Sequence, residues 1–225
     1  MAETRVTGVD LPLAAPRMSG SPAREVLVRR ARLLARLGIA WHGLEAAVAI
    51  AAGIAAGSIA LVGFGADSLV EGVAGFVLLW RFAGARAGSE AAERRAQKLI
   101  GASFYLIAAY VGIEAIRSLT GGHEPDASAV GIGLAAVTLV TMPPLAIAKA
   151  RIGERLGSSA TKSEGRQNLL CAYLSAALLV GLSANALLGW WWADPATALL
   201  IAAVAVREGR ESWRGESSCA DGRCD

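Results

Sequence analysis

The sequence predicts an all-α integral membrane protein of six transmembrane helices, with both N and C termini cytoplasmic. Three observations carry this. Of the 225 residues, 54% are hydrophobic and 18% charged, and the apolar residues gather into runs of about twenty. A bilayer core of ~30 Å needs about 20 helical residues to cross it, and the runs fall at 37–56, 59–80, 99–119, 128–148, 165–189 and 193–207. Lipid offers no partner to backbone N–H and C=O groups, so each span must satisfy its own, as a helix does. A transmembrane β-barrel would instead show short segments of alternating polarity. The third observation is charge. Every Lys and Arg except Arg117 lies in the first tail, between spans two and three, between spans four and five, or after span six. Basic residues are retained on the cytoplasmic side, and such alternation requires an even number of spans.

Taken in order, residues 1–31 are expected to be a flexible cytoplasmic tail, with Pro12 to Pro22 among small residues. No apolar run followed by a cleavage site occurs there, so no secretory signal is read. The transport domain is placed at 32–210 and a short cytoplasmic tail at 211–225. Spans one and two form a pair joined outside at Gly57-Ser58. A charged inner segment follows, with Ser89, Glu90, Glu93, Arg94 and Arg95 at helical spacing. The outer loop Thr120 to Asp126 joins spans three and four, and Glu114 and Arg117 near it read as a local ion pair. Met142-Pro143-Pro144 is expected to kink or loosen the inner end of span four, ahead of a polar inner segment at about 149–163. Gly189-Trp-Trp-Trp-Ala-Asp-Pro195 makes an outer turn whose Trp residues anchor at the membrane interface. Span six is short, extended by a snorkelling Arg207. The basic excess thus reports topology and anionic lipid, not nucleic acid.

The informative residues are acids inside spans. Glu45, Asp67 and Glu71 together carry an insertion penalty of roughly 8–10 kcal/mol, at about 2.5–3.5 each. Asp67 and Glu71 are four apart and share a helix face, and no Lys or Arg is expected within a span to neutralise them, Arg117, Arg166 and Arg207 lying at span ends. Two adjacent carboxylates repel, so one holds a proton; a divalent cation would relieve the repulsion and displace that proton. The plain alternative is a protonated, hydrogen-bonded pair. Glu45 and His42, three apart on span one, fall at similar depth. Glu45 serves as proton relay, second-layer acceptor or direct ligand, and His42 as structural donor or ligand. On span five Gln167 and Cys171 form another i, i+4 pair, with Tyr173, Ser175 and Asn185 as interhelical glue. Cys219 and Cys224 could hold a soft metal, and nothing in the three cysteines suggests a disulfide framework.

These residues resemble a known family. Gly57-Ser-Ile-Ala-Leu-Val-Gly-Phe-Gly-Ala-Asp-Ser-Leu-Val-Glu71 is similar to the second transmembrane helix of the cation diffusion facilitators, the cation efflux family. Gln167-Asn-Leu-Leu-Cys171, Gly181 and Gly189 to Pro195 are similar to their fifth span and the turn after it. The resemblance covers about 32–215. It implies a homodimeric, multi-pass cell-membrane antiporter exchanging cytosolic divalent metal, usually zinc, for protons, with no permanent cofactor. It further implies a tetrahedral site of two ligands from span two and two from span five: Asp67, Glu71, Cys171 and Gln167 here. The family commonly has His-x-x-x-Asp on span five, so Gln167 and Cys171 depart from it. Thiolate is a sound zinc ligand, tilting the expected preference toward zinc or cadmium. The family's soluble C-terminal domain is not expected in this short form, leaving dimerisation to the spans. Two rivals stand beside this reading. One is a non-transporting metal-sensing or assembly protein with the same fold. The other is an intramembrane hydrolase, for which Cys171 has no evident His partner.

Overall fold

The computed structural model describes residues 22–81, 90–122 and 124–214. The expected sites at Cys219 and Cys224 lie outside them. Six helices follow in chain order: α1 (Pro22–Ala56), α2 (Ile59–Arg81), α3 (Glu90–Gly121), α4 (Ala129–Leu156), α5 (Ser159–Leu188) and α6 (Ala193–Arg214). No strand occurs among the described residues. Four of the helices contain stretches long and apolar enough to cross a membrane, at 25–56, 98–121, 129–156 and 164–188. Large aliphatic side chains stand on the outside of the bundle, Leu106 and Val140 among them, each more than 70% exposed. Water would not tolerate so apolar a belt, and acyl chains solvate it.

The helices pack as three antiparallel pairs, α1 with α2, α4 with α5, and α3 with α6. Small residues allow the close approach, as in membrane helix packing generally. A Cβ at Gly53 of α1 would stand 2.8 Å from the Val62 backbone nitrogen of α2. One at Gly165 of α5 would stand 2.9 Å from the Ala146 carbonyl oxygen of α4. Between the pairs, Leu61, Phe64, Val111, Met142, Leu178 and Ile201 fill the core with fully buried alanines.

Two of the connections are the same device. Gly57 (φ 66°) and Gly157 (φ 63°) each stop a helix in the left-handed conformation that glycine adopts without steric cost. Each is followed by a serine, and the Ser158 hydroxyl accepts from the Thr161 amide to cap α5.

Several boundaries differ from the expected ones. Helix α1 begins at Pro22, so residues 22–31, expected in the flexible tail, are helical; proline suits a first helical turn because its missing N–H is unneeded there. Helix α4 runs unbroken through Pro143 and Pro144 to Leu156, and α5 starts at Ser159. The polar segment 149–163 is therefore helical apart from a two-residue turn. Helix α6 extends to Arg214. Of the expected interhelical glue, Asn185 Nδ2 reaches the Pro125 carbonyl oxygen at 2.8 Å. Ser175 instead donates to the Cys171 carbonyl of its own helix, and Tyr173 faces outward. The expected Glu114–Arg117 ion pair is present at 2.6 Å.

Asp194, at the start of α6, caps α2 from across the bundle. Its Oδ2 accepts from the Ile59 amide at 3.0 Å and the Ala60 amide at 3.3 Å, and its Oδ1 from the Ser58 hydroxyl. A carboxylate at a helix N-terminus satisfies otherwise orphaned amides and complements the positive end of the helix dipole.

Candidate metal site

The helix pairs α1–α2 and α4–α5 meet along a seam, and the acidic residues lie in it. Glu45 of α1 is fully buried, and His42, Asp67, Glu71 and Cys171 are buried with it. Glu45 is the hub. Its Oε2 accepts from the Ser68 hydroxyl of α2 at 3.0 Å, and its Oε1 from the Thr138 hydroxyl of α4. The Cys171 thiol of α5 lies 3.7 Å from Oε2. Four helices thus converge on one carboxylate.

His42, one turn below Glu45 on the same face of α1, bridges to α2. Its Nδ1 lies 3.4 Å from Glu45 Oε2 and 3.3 Å from Glu71 Oε2. Neither approach is aligned as a hydrogen bond, and both His42 Nδ1 and Glu71 Oε2 are buried without such a partner. An unsatisfied buried polar atom costs about 1–3 kcal/mol, so two of them pointing at one locus mark a place prepared for something else. Donor atoms of His42, Glu45 and Cys171 all lie within 4.8 Å of one another.

The other two expected ligands lie one helical turn from Glu71 and Cys171 along α2 and α5. Asp67 is buried one turn from Glu71, toward the outer end of α2. Gln167 is half-buried one turn below Cys171, on the wall of a cavity that it shares with Ala35, Gly38, His42, Glu71 and Asn168. That cavity occupies the half of the bundle nearer the basic ends of the helices.

Lys149 also lines the cavity. The expectation that no basic residue lies inside a span is corrected here: α4 continues past its prolines and carries Lys149 into the bundle, where it is 4% exposed. Its Nζ donates to Asn168 Oδ1 at 2.9 Å and pairs with Glu164 Oε2 at 3.2 Å. The ammonium is thus held by α5, not by Glu71. Asn168 is oriented in turn by Met142, whose sulfur accepts from its Nδ2 at 3.0 Å.

Ser68, Thr138, Lys149, Glu164 and Asn168 are the neighbours that sequence reasoning passed over. Thr138 carries a signal, one of two hydroxyls, with Thr141, midway along an otherwise apolar span.

A family model, the cation efflux transmembrane domain, matches residues 36–214. The chain belongs to the cation efflux family. The resemblance carried by the span-two and span-five motifs therefore holds over nearly all the described helices, and the chain is a multi-pass membrane protein. Among curated proteins it is similar to the uncharacterized transporter sll1263 of Synechocystis sp. (strain ATCC 27184 / PCC 6803 / Kazusa), 26% identical over 151 residues. That alignment covers 64% of this chain and 49% of the relative. The cation efflux chain thus spans about half the length of the curated relative it matches.

Proposed function

We propose that this protein exports a divalent metal cation, zinc first among candidates, in exchange for protons. The observation that supports it most directly is the inward-turned group of buried acids around Cys171, with His42 Nδ1 and Glu71 Oε2 left unpartnered and Lys149 engaged elsewhere. A dication entering this locus meets carboxylate, imidazole and thiol. That mixture of oxygen, nitrogen and sulfur donors suits zinc better than magnesium or manganese.

The expected roles are as follows. Asp67, Glu71, Cys171 and Gln167 handle the cation, while Glu45 and His42 shape the field around it. Thiol, imidazole and carboxyl groups shed protons when metal binds and regain them when it leaves, which supplies the exchange with protons. The half-bundle cavity lined by Gln167 and Glu71 lies on the side of the basic, cytoplasmic-type helix ends, the side from which an exported ion would arrive. A homodimer is part of the proposal, on the family resemblance.

The test is zinc flux in proteoliposomes with an imposed pH gradient. Wild-type protein is expected to move zinc against acid on the opposite side, and Asp67→Asn and Glu71→Gln to abolish the flux. Either variant moving zinc at the wild-type rate refutes its part in the site. Equilibrium binding without flux identifies a metal-sensing protein on the same fold.

A further inference from the structure

We infer that Lys149 is a tethered counter-cation closing the cytoplasmic end of the cation path, and that an entering dication passes it by taking its place at Glu164. This rests on the metal-export reading and leaves the ligands of the transported ion as proposed above.

The closure follows from what the ammonium touches. Lys149 belongs to α4, but its side chain lies across the seam between the two hairpins. On α5 its Nζ donates to Asn168 Oδ1 at 2.9 Å and pairs with Glu164 Oε2 at 3.2 Å. On α1 it rests against the backbone at Gly38, where an added Cβ would stand 2.9 Å from Nζ. Gly38 precedes His42 by one helical turn and Glu164 precedes Cys171 by about two, and both helices run outward from their basic ends. The ammonium therefore lies on the cytoplasmic side of the acids.

The cavity that Lys149 and Glu164 share with His42 and Glu71 has a volume of about 20 Å³, room for little more than one water. A hydrated dication does not fit while the ammonium stays in place. Yet two polar atoms of the residues lining it, His42 Nδ1 and Glu71 Oε2, are buried without a hydrogen bond. Unsatisfied atoms beside a polar cavity suit a visitor better than the resting fold.

Glu164 is the member of the pair that solvent reaches, its side chain 13% exposed against 5% for Lys149. An arriving cation meets that carboxylate first and competes for it with two charges against one. The displaced ammonium keeps a holder, because Asn168, fixed by the Met142 sulfur, still offers its neutral oxygen. Stability does not account for the pair, since well-packed apolar residues in its place are often neutral or better. Lys149 is also the single buried Lys or Arg among the residues whose side chains are described.

The test is zinc uptake into proteoliposomes with an acidic lumen, a gradient that selects molecules presenting their basic ends to external zinc. Initial rates are read at zinc well below saturation, beside equilibrium titration of the same preparations. Lys149→Met/Glu164→Met leaves the net charge unchanged and fills the same space, yet offers no carboxylate for the exchange. Its uptake is expected to fall at least about tenfold while its zinc affinity stays within about threefold, the mark of a slowed approach and not of a damaged site. Glu164→Gln, whose amide oxygen can still accept from the ammonium, is expected to lose uptake to a similar extent. Wild-type uptake by either variant makes the pair structural and overturns the inference. A loss of uptake matched by an equal loss of affinity in the double variant overturns it as well. Should one variant fail to fold, the other decides. Uptake abolished by Glu71→Gln but intact in both gate variants leaves the export reading standing and removes this inference alone; wild-type protein that moves no zinc removes both.

Discussion

Asp194 provides the sharpest test of what holds the outer end together. Replacing it by alanine removes the acceptor of three donors, the Ser58 hydroxyl and the Ile59 and Ala60 amides. Hydrogen bonds to a charged group contribute about 1.5–3 kcal/mol each when their loss leaves the donor buried and unpaired. Water can reach part of this helix end, since Ile59 is only half-buried, so the N-cap range of about 0.5–2 kcal/mol is the better guide for the amides. Adding the buried Ser58 hydroxyl gives a total near 3 kcal/mol by these two principles. For a chain of 150–250 residues, about 1 kcal/mol shifts Tm by about 2–4 °C, so Asp194→Ala is expected to lower it by about 6–12 °C. Asparagine keeps one oxygen for the amides and can donate to Ser58 in place of accepting, so Asp194→Asn should fall by about a third as much. Thermal unfolding in detergent can follow both helix content and tryptophan fluorescence. The stacked Trp190 and Trp192, 5.5 Å between ring centroids, sit beside the substituted position and report on it locally. A Tm within 2 °C of wild type for the alanine variant would refute the cross-bundle cap as a source of stability. So would an asparagine variant as unstable as the alanine one.

Other expectations follow from the packing and the site. Gly53→Ala should destabilise by about 1–3 kcal/mol, because the new methyl would meet the Val62 backbone at 2.8 Å, and thermal unfolding will show it. Lys149→Met strands the Glu164 carboxylate. Breaking a buried pair costs about 3–5 kcal/mol, here reduced by the 13% exposure of Glu164, and the double variant Lys149→Met/Glu164→Met should recover most of the lost Tm. Thr138→Val removes a hydroxyl from Glu45 Oε1 and should weaken zinc binding about 10–100-fold by titration while leaving the helix content of the circular dichroism spectrum unchanged. Because thiol, imidazole and carboxyl groups release protons on binding metal, zinc affinity must fall as pH is lowered; titrations at a series of pH values showing no such fall would contradict ligation by these groups.

How much of this was legible in the sequence depended on which force sets each feature. The spans were readable because lipid imposes a single length and composition. Gly57-Ser58 was recognised as a tight turn because two apolar runs abut there. Its twin Gly157-Ser158 is hidden in the sequence because Arg155, Lys162 and Glu164 surround it with charge, although both flanking helices continue through that charge. Read alone, Pro143 and Pro144 predict a break because they remove backbone donors from α4. Packing against α5, at Gly153 and Gly165, outweighs the lost donors and carries the helix on. Lys149 lies just past the apolar run that ends at residue 148, yet inside the longer helix. At the site, the burial of Glu45, Asp67 and Glu71 was foreseeable from insertion cost. Their partners were not, since rotation about each helix axis decides which neighbour a side chain meets, and only three-dimensional packing sets that rotation.

The seam between the two glycine-serine hairpins has a mechanical corollary. His42, Glu45 and Glu71 belong to one hairpin, Thr138 and Cys171 to the other. A slip of one hairpin along the other by a single residue's rise, about 1.5 Å, would move Thr138 and Cys171 against Glu45 while leaving His42, Glu45 and Glu71 in place relative to one another. On the export reading proposed above, the seam is then a sliding joint along which the buried acids of one hairpin change their neighbours on the other.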